Sequence, residues 1–172
     1  MLTPHRAARA ASMLALAGLF ACACAQPVAA QTEMRAPSVD DRTFVADLLQ
    51  ESRAQLALAR LARERGVNGL ARSTALQTQA TWQTLNGRLV SLAMAEGAPV
   101  LGSLDQEQQA RLLRLGRTRD ASLDATYVRL ARMGDRNALT MMMQEDPDGN
   151  PRLERFLSFA RPLVTNVVDL AS

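Results

Sequence analysis

The side chains best suited to nucleophilic, redox or metal chemistry are concentrated in the first 30 residues of the chain. Cys22 and Cys24 are its two cysteines, and His5 is its single histidine. A Cys-Ala-Cys pair offers two thiolates, but a metal or redox site would need further ligands that this chain lacks. The pair also lies inside an uncharged apolar segment, so the nature of that segment decides what these residues do.

The segment has the three-part pattern of a secretory signal peptide. Arg6 and Arg9 form a short positive region, residues 10–25 carry no charge, and the small residues Val-Ala-Ala end the pattern at Ala30. We predict cleavage after Ala30, which makes Gln31 the first residue of the mature chain. The protein is then exported, to the periplasm or elsewhere in the cell envelope.

Two alternatives are open for this segment. "LFAC" at residues 19–22 resembles a lipobox, in which a lipidated Cys22 would tether the protein to a membrane. Phe20 is bulky for that motif, and no glycine precedes the cysteine. The other alternative is a retained anchor, although the uncharged run is shorter than the roughly 20 apolar residues that span a bilayer.

Removal of residues 1–30 leaves a chain without cysteine or histidine. Serine–histidine and cysteine–histidine catalysis then have no base, and transition metals lose their usual nitrogen and thiolate ligands. We therefore predict no catalytic residue, no cofactor and no resident metal. The alternative is a carboxylate-based metal site that uses Glu51 with acids such as Asp124 or Asp135.

Two short motifs have both a chemical and a structural interpretation. The thioethers of Met141 to Met143 suit copper, but helical geometry directs Met141 and Met142 to the core and Met143 elsewhere, which favours packing. "EDPDGN" at residues 145–150 has oxygen ligands and a glycine. It lacks the spacing and the terminal glutamate of an EF-hand, so we interpret it as a polar turn.

The charge balance argues against nucleic acid as a partner. The formal net charge is +3, and it falls to +1 once Arg6 and Arg9 are removed. The basic residues are all arginine and are interspersed with acids along the chain, whereas nucleic-acid-binding proteins gather them into a patch or stripe.

Hydrophobic periodicity predicts an all-α fold in a single domain. Aromatic residues make up only 3% of the chain, and no segment alternates with the period of a strand. In the first helix, Gln55 falls within the apolar face and Glu51 lies on its border. In the second helix, Trp82 shares a face with Leu85 and Leu89, so we expect its ring to be buried.

Turn and capping residues predict where the helices begin and end. Gly66 and Asn68 separate the first two helices, Ser103 with Gln106 opens a short third helix as a capping box, and Pro151 opens the last. Pro162 is expected to kink that last helix. The helices are expected over residues 41–65, 68–96 and 103–115, then from 120 to the turn at 145–150, and from 151 onward.

The order of several motifs resembles the family of domain of unknown function 4142. The resemblance covers residues 43–171 and rests on "TFVADLLQESRAQLALARLA", the "RG" stop before Asn68, "RLVSLAMAEG", "LDATY" and "ARPLV". It implies an exported bacterial protein with a ferritin-like helical bundle, of the kind labelled outer-membrane or periplasmic.

This chain departs from the family pattern at its polar positions. The resemblance implies Asp-His pairs where this chain has Thr81-Trp82 and Gly134-Asp135, a glutamate at Gln55 and a histidine at Val167. A metal-binding or other polar role of those groups therefore does not transfer to these positions. We expect Trp82 to fill the space of an imidazole and to turn a polar spot into packing.

Together, these observations predict a signal peptide at residues 1–30, a disordered leader at 31–40 and a helical-bundle domain at 41–172. The fold is a ferritin-like four-helix bundle with a short extra helix between the second and third long helices. We expect a non-catalytic interaction, structural or envelope-stress role with a protein partner. A second alternative, beside the metal site, is a membrane-surface or partner-binding module built on arginine-rich faces and the methionines.

Overall fold

The computed structural model describes residues 38–66, 68–119, 121–147 and 149–170. The predicted signal peptide, the cleavage site between Ala30 and Gln31, the lipidation candidate Cys22 and most of the predicted leader lie outside these residues. The described residues all belong to one compact unit of the chain.

Five α-helices, and no strand, are present among the described residues. They are α1 (Val39–Arg65), α2 (Gly69–Glu96), α3 (Gln106–Arg117), α4 (Ala121–Gln144) and α5 (Pro151–Leu170). This confirms the predicted all-α fold with four long helices and a short one between the second and third. The helix α1 lies against α2, α3 and α4, while α5 packs on α2 and α4.

The first helix begins at Val39, two residues before the expected start at Asp41. The Ser38 hydroxyl accepts a hydrogen bond from the Asp41 backbone N–H at 2.9 Å, and the Asp41 carboxylate accepts one from the Ser38 N–H at 3.2 Å. This reciprocal pair is a capping box. Val39 and Asp40 are therefore helical, although the sequence pattern places them in the leader.

The predicted cap of α3 is wrong by two residues. Asp105, not Ser103, accepts from the Gln108 N–H at 2.7 Å, and the Gln108 side chain accepts in return from the Asp105 N–H at 3.3 Å. The Ser103 carbonyl instead accepts a hydrogen bond from the Gln50 amide of α1 at 3.0 Å. Both serine and aspartate favour the capping position, so local pattern alone does not distinguish them.

The main other predicted boundaries are confirmed, although α3 runs to Arg117, two residues past its expected end at 115. The Asn68 side chain caps α2 through the Ala71 N–H at 2.8 Å, and α5 begins at Pro151 and runs on through Pro162. α1 ends at Gly66, whose backbone is extended and whose N–H donates to the Ala62 carbonyl at 2.6 Å; a β-carbon at Gly66 would lie 2.5 Å from that oxygen, so the close approach favours glycine.

Two apolar clusters make up the core. One joins the amino-terminal half of α1 to α5 and to the later halves of α2 and α4, around Leu48, Trp82 and Leu157. The other joins the later half of α1 to α3 and to the first halves of α2 and α4, around Leu58 and Tyr127.

The methionines of α4 lie as their helical positions predict. Met142 is fully buried in the first cluster, Met141 packs against it in part, and Met143 is exposed. Along the described part of the chain, no helix combines the length and the apolar character needed to cross a membrane.

Candidate functional site

A layer of buried polar side chains lies where the two apolar clusters meet. In α1, for example, the buried residues between Leu49 of the first cluster and Leu58 of the second include charged and amide side chains. We call this set the polar layer; its members are Glu51, Gln55, Thr78, Arg111 and Asp135, all of them buried.

Glu51 and Arg111 form a bidentate ion pair in the polar layer. Arg111 Nη1 donates to Glu51 Oε1 at 3.2 Å, and Nη2 donates to Oε2 at 3.0 Å. The Arg111 side chain is 10% exposed and that of Glu51 is 7% exposed. Because the fork of the guanidinium matches the carboxylate, the arginine supplies the counter-charge that a buried Glu51 needs.

Gln55 and Gly134 bring α1 and α4 into close approach. Gln55 Nε2 donates to the Ala131 carbonyl oxygen of α4 at 3.1 Å and to Glu51 Oε1 at 3.3 Å. A β-carbon at Gly134 would overlap both the Gln55 amide and the Glu51 carboxylate. The missing side chain at Gly134 is therefore what allows these two groups to occupy the layer.

Trp82 is fully buried, as predicted, but its contacts are not only apolar. Its indole Nε1–H donates to Asp135 Oδ1 at 2.8 Å, across the interface of α2 and α4. Asp135 is 1% exposed. The polar character of the position is thus kept by a tryptophan–aspartate pair, which corrects the expectation from sequence.

The surroundings of Asp135 favour its protonated form. Burial raises the pKa of Asp135 to about 7, the indole hydrogen bond lowers it, and the nearby Glu51 charge raises it. A carboxylic acid held in an apolar setting is most stable when neutral. Near neutral pH, Asp135 therefore exists in both protonation states while it remains almost entirely shielded from solvent.

Tyr127 and Thr78 extend the polar groups toward the second apolar cluster. Burial raises the pKa of Tyr127 to about 12, the Thr78 hydroxyl lowers it, and the Asp135 charge raises it. A phenol with so high a pKa stays protonated and can act only as a neutral donor or acceptor.

The three candidate metal ligands do not share one place. Glu51 and Asp135 belong to the polar layer, where one pairs with arginine and the other with tryptophan. Asp124 lies eleven residues before Asp135 on α4, roughly 16 Å away along the helix. Its carboxylate accepts a hydrogen bond from the Asn68 N–H at 2.8 Å, at the connection of α1 and α2.

Within the described ranges, no three histidine, cysteine or acidic side chains lie close enough together to hold a metal ion. The chemistry open to the polar layer is proton binding at Asp135 and charge pairing at Glu51. Because both carboxyl groups are buried between helices, a substrate in solution would not reach either of them without separating those helices.

Sequence reasoning missed Arg111, the main partner of Glu51. An arginine is rarely buried unless it is paired, so its charge suggests a solvated position. A signal was nevertheless present, because Arg111 falls between Gln108 and Leu115 on one face of α3, and all three are buried.

The turn at residues 145–150 forms a second group of polar contacts at one end of the bundle. Asn150 Nδ2 donates to Asp41 at 2.9 Å and to Glu96 at 3.1 Å. Asn150 Oδ1 accepts from the Leu153 N–H at 3.2 Å and so caps α5. These bonds connect α1, α2 and α5, in agreement with the interpretation of the segment as a turn; Asp148 lies outside the described residues.

Comparison with known proteins gives one family and one fold. A family model described as "Domain of unknown function (DUF4142)" matches residues 25–172. No curated protein matches the chain. Among solved structures, a crystal structure of a DUF305 fragment from Deinococcus radiodurans is similar, with a TM-score of 0.70 and 19% identity over 80% of this chain and 95% of that one.

Proposed function

The chain belongs to the DUF4142 family, and from that premise we propose that it is an exported helical bundle that acts by binding in the cell envelope and not by catalysis. The proposal concerns the mature chain that follows cleavage after Ala30. It keeps the ferritin-like architecture that the resemblance implies, and it assigns the interior of the bundle a structural role.

The observation that carries the proposal is that the two carboxyl groups of the polar layer are both buried and both already paired. Glu51 is neutralised by Arg111 through two hydrogen bonds, and Asp135 is held by the Trp82 indole. A reacting group has to reach its substrate within hydrogen-bond distance, directly or through one water. Groups that are almost fully buried and already paired do not meet that requirement.

A non-catalytic role is also supported by the positions at which the family resemblance implies metal-binding side chains. Gln55, Trp82 and Asp135 stand where the resemblance implies a glutamate and two histidines, and they meet in or beside the polar layer. A ferritin-like bundle would place a metal there. In this chain an amide, an indole and the indole-bonded carboxyl of Asp135 occupy those positions, and the adjacent Glu51 already has Arg111 as its counter-charge.

Export is supported by the first 30 residues, whose charge, apolar run and small residues match a secretory signal. We infer a periplasmic or envelope location from that pattern. Because no described helix is suited to cross a membrane, membrane attachment would depend on residues outside the described ranges or on a surface contact.

Export can be tested by expressing the full chain in a bacterial host and recovering it from the osmotic-shock fraction. Intact-mass measurement should give a chain that begins at Gln31. Ala30→Leu replaces the small residue before the cleavage site and should block processing, whereas the matched control Val28→Ala keeps the site small and should be processed normally. A lipid-modified Cys22 at the N-terminus would contradict the proposal in favour of a tethered lipoprotein.

A further inference from the structure

A basic groove runs between the start of α2 and the outer face of α4. Both helices pack on α1 and contact each other less than either contacts α1, and a groove of about 690 Å³ lies between them. That volume is within the range of small-molecule sites in proteins. The groove is separate from the polar layer and opens to solvent.

The charge in the groove comes from three arginines on one side of α4. Arg129, Arg132 and Arg136 all line it, and from Ala125 to Gln144 the helix has no acidic residue other than the buried Asp135. The acid that lines the groove, Asp124, is 3% exposed and bonded to the Asn68 N–H. The groove therefore favours an anion.

Arg132 is the groove arginine with an unpaired buried atom. Its Nε is buried and makes no hydrogen bond within the described part of the chain. Leaving a buried charged donor unpaired is unfavourable by an amount similar to a lost hydrogen bond to a charged group.

The same groove has apolar walls. Leu70 is 72% exposed and Met133 is 40% exposed, although both are large apolar side chains. Val128 and Ala71 continue this lining between them. Covering such surface releases it from water, which is favourable in proportion to the area that is buried.

We propose that this groove binds an anionic phospholipid, with the phosphate between the arginines of α4 and an acyl chain along Leu70, Val128 and Met133. The proposal deepens the proposed binding function and rests on it. An anionic phospholipid carries both features that the groove offers a partner: its phosphate matches the arginines of α4, and its acyl chain matches the exposed apolar side chains of Leu70 and Met133.

The test is co-flotation of the purified, processed protein with vesicles of phosphatidylglycerol or of phosphatidylcholine. Binding is expected to the anionic vesicles and not to the neutral ones, and it should weaken as salt is raised. Replacement of Arg129, Arg132 and Arg136 by glutamine should lower the affinity about tenfold or more. A matched control replaces three arginines outside the groove, Arg114, Arg119 and Arg155, and should leave most of the binding intact.

Two further measurements separate the lipid from other anions. Leu70→Ser changes an exposed side chain, so it should keep the fold and still weaken vesicle binding. Inorganic phosphate alone should compete poorly, because it cannot use the apolar wall. An equal loss of vesicle binding in the two triple-arginine variants would overturn the proposal. So would full displacement of the vesicles by phosphate together with unchanged vesicle binding by Leu70→Ser.

The folding of each variant is checked by the emission of the single tryptophan, Trp82, which is buried. Because all variants share the same N-terminus, a difference between the two triples reports on the groove alone. Failure of vesicle binding would overturn the lipid proposal and leave the export and non-catalytic assignments standing, since those rest on the processed mass and on the polar layer.

Discussion

At the scale of single residues, the tryptophan–aspartate pair is the most informative feature of the interior. A buried carboxylate is unfavourable when charged unless it is well paired, and Trp82 supplies one neutral donor. The result is an acid whose pKa is raised to about 7 by burial and by Glu51, with the indole bond acting in the opposite direction.

This raised pKa predicts how stability depends on pH. The folded protein holds a proton on Asp135 up to about pH 7, whereas the unfolded chain releases it near pH 4. Folding is therefore favoured most below the unfolded value, and the free energy of unfolding falls as pH rises through this window, by at most about 1.4 kcal/mol per pH unit. Asp135→Asn keeps an acceptor for the indole and should remove this dependence.

The measurement is urea unfolding of both proteins between pH 4 and 8, followed by far-ultraviolet circular dichroism. The advantage of Asp135→Asn over the natural protein should grow with pH and level off above about 7. Trp82→Phe removes the bond that lowers the pKa, so its transition should move to higher pH. A constant difference between natural protein and Asp135→Asn at every pH would contradict the assignment.

Gly134 in α4 and Gly87 in α2 are two glycines inside helices whose surroundings differ, so alanine substitutions at them can be compared. A β-carbon at Gly134 would overlap the ends of Gln55 and Glu51, whereas at Gly87 nothing lies within 4 Å. Gly134→Ala should lower stability by about 1–3 kcal/mol because the layer has to rearrange. Gly87→Ala should raise it by about 0.5–1 kcal/mol through helix propensity. The measurement is the thermal unfolding midpoint of each variant. Midpoints that are both above, or both below, that of the natural protein would contradict this prediction.

At the scale of elements, the short helix α3 is attached to the bundle by a charge. Arg111 reaches across to Glu51 of α1, and Leu115 adds the apolar contact with the second cluster. The neighbouring Gln50 amide holds the loop before α3 through the Ser103 carbonyl. Two consecutive residues of α1 therefore position the loop and the helix.

Removal of one partner of this ion pair should be more harmful than removal of both. Arg111→Met leaves the Glu51 carboxylate buried and unpaired, with an expected loss of about 3–5 kcal/mol. Adding Glu51→Met should recover most of that loss, because an apolar pair of similar volume replaces two buried charges. A double-mutant cycle in urea measures the coupling, and additive losses would show that the pair is not coupled.

The carboxyl end of α4 is capped by a side chain from another helix. At the carboxyl end of α4, the Arg161 guanidinium of α5 donates to the Met142 carbonyl at 2.6 Å and to the Glu145 carbonyl at 3.2 Å. The last carbonyls of a helix lack partners within it. Here the Arg161 guanidinium supplies the missing donors, and its positive charge interacts favourably with the negative end of the helix dipole.

At the scale of the whole molecule, two apolar clusters joined by a paired polar layer describe the interior. The outer surface is where binding is expected, and the basic groove is its most distinctive part. The structural similarity to a DUF305 fragment extends to 95% of that chain, so the arrangement of helices is shared although only 19% of the residues are identical.

The mature protein is expected to bind no zinc, copper or iron tightly. Histidine and cysteine are absent after residue 30, and these are the ligands that give such sites most of their affinity. Elemental analysis of protein purified without an affinity tag should find less than stoichiometric metal. Stoichiometric iron or zinc that disappears in a Glu51→Gln, Asp135→Asn variant would instead place a metal in the polar layer.

The sequence by itself determined the all-α class, most helix boundaries and the burial of Trp82. These follow from local rules: apolar spacing along each helix defines a face, and caps such as Asn68 and Pro151 act within a few residues. Even the two errors at helix starts are small: α1 begins two residues before the expected Asp41, and α3 is capped by Asp105, two residues after Ser103.

Only the tertiary structure decided which polar residues meet. Glu51 and Arg111 are 60 residues apart, and Trp82 and Asp135 are 53 apart. Helical periodicity shows that each such residue lies on or near a buried face, but it contains no information on how one helix is rotated and shifted against another. That arrangement is set by the packing of all five helices together, and it brings separate polar positions into one layer in which Glu51 meets Arg111 and Trp82 meets Asp135.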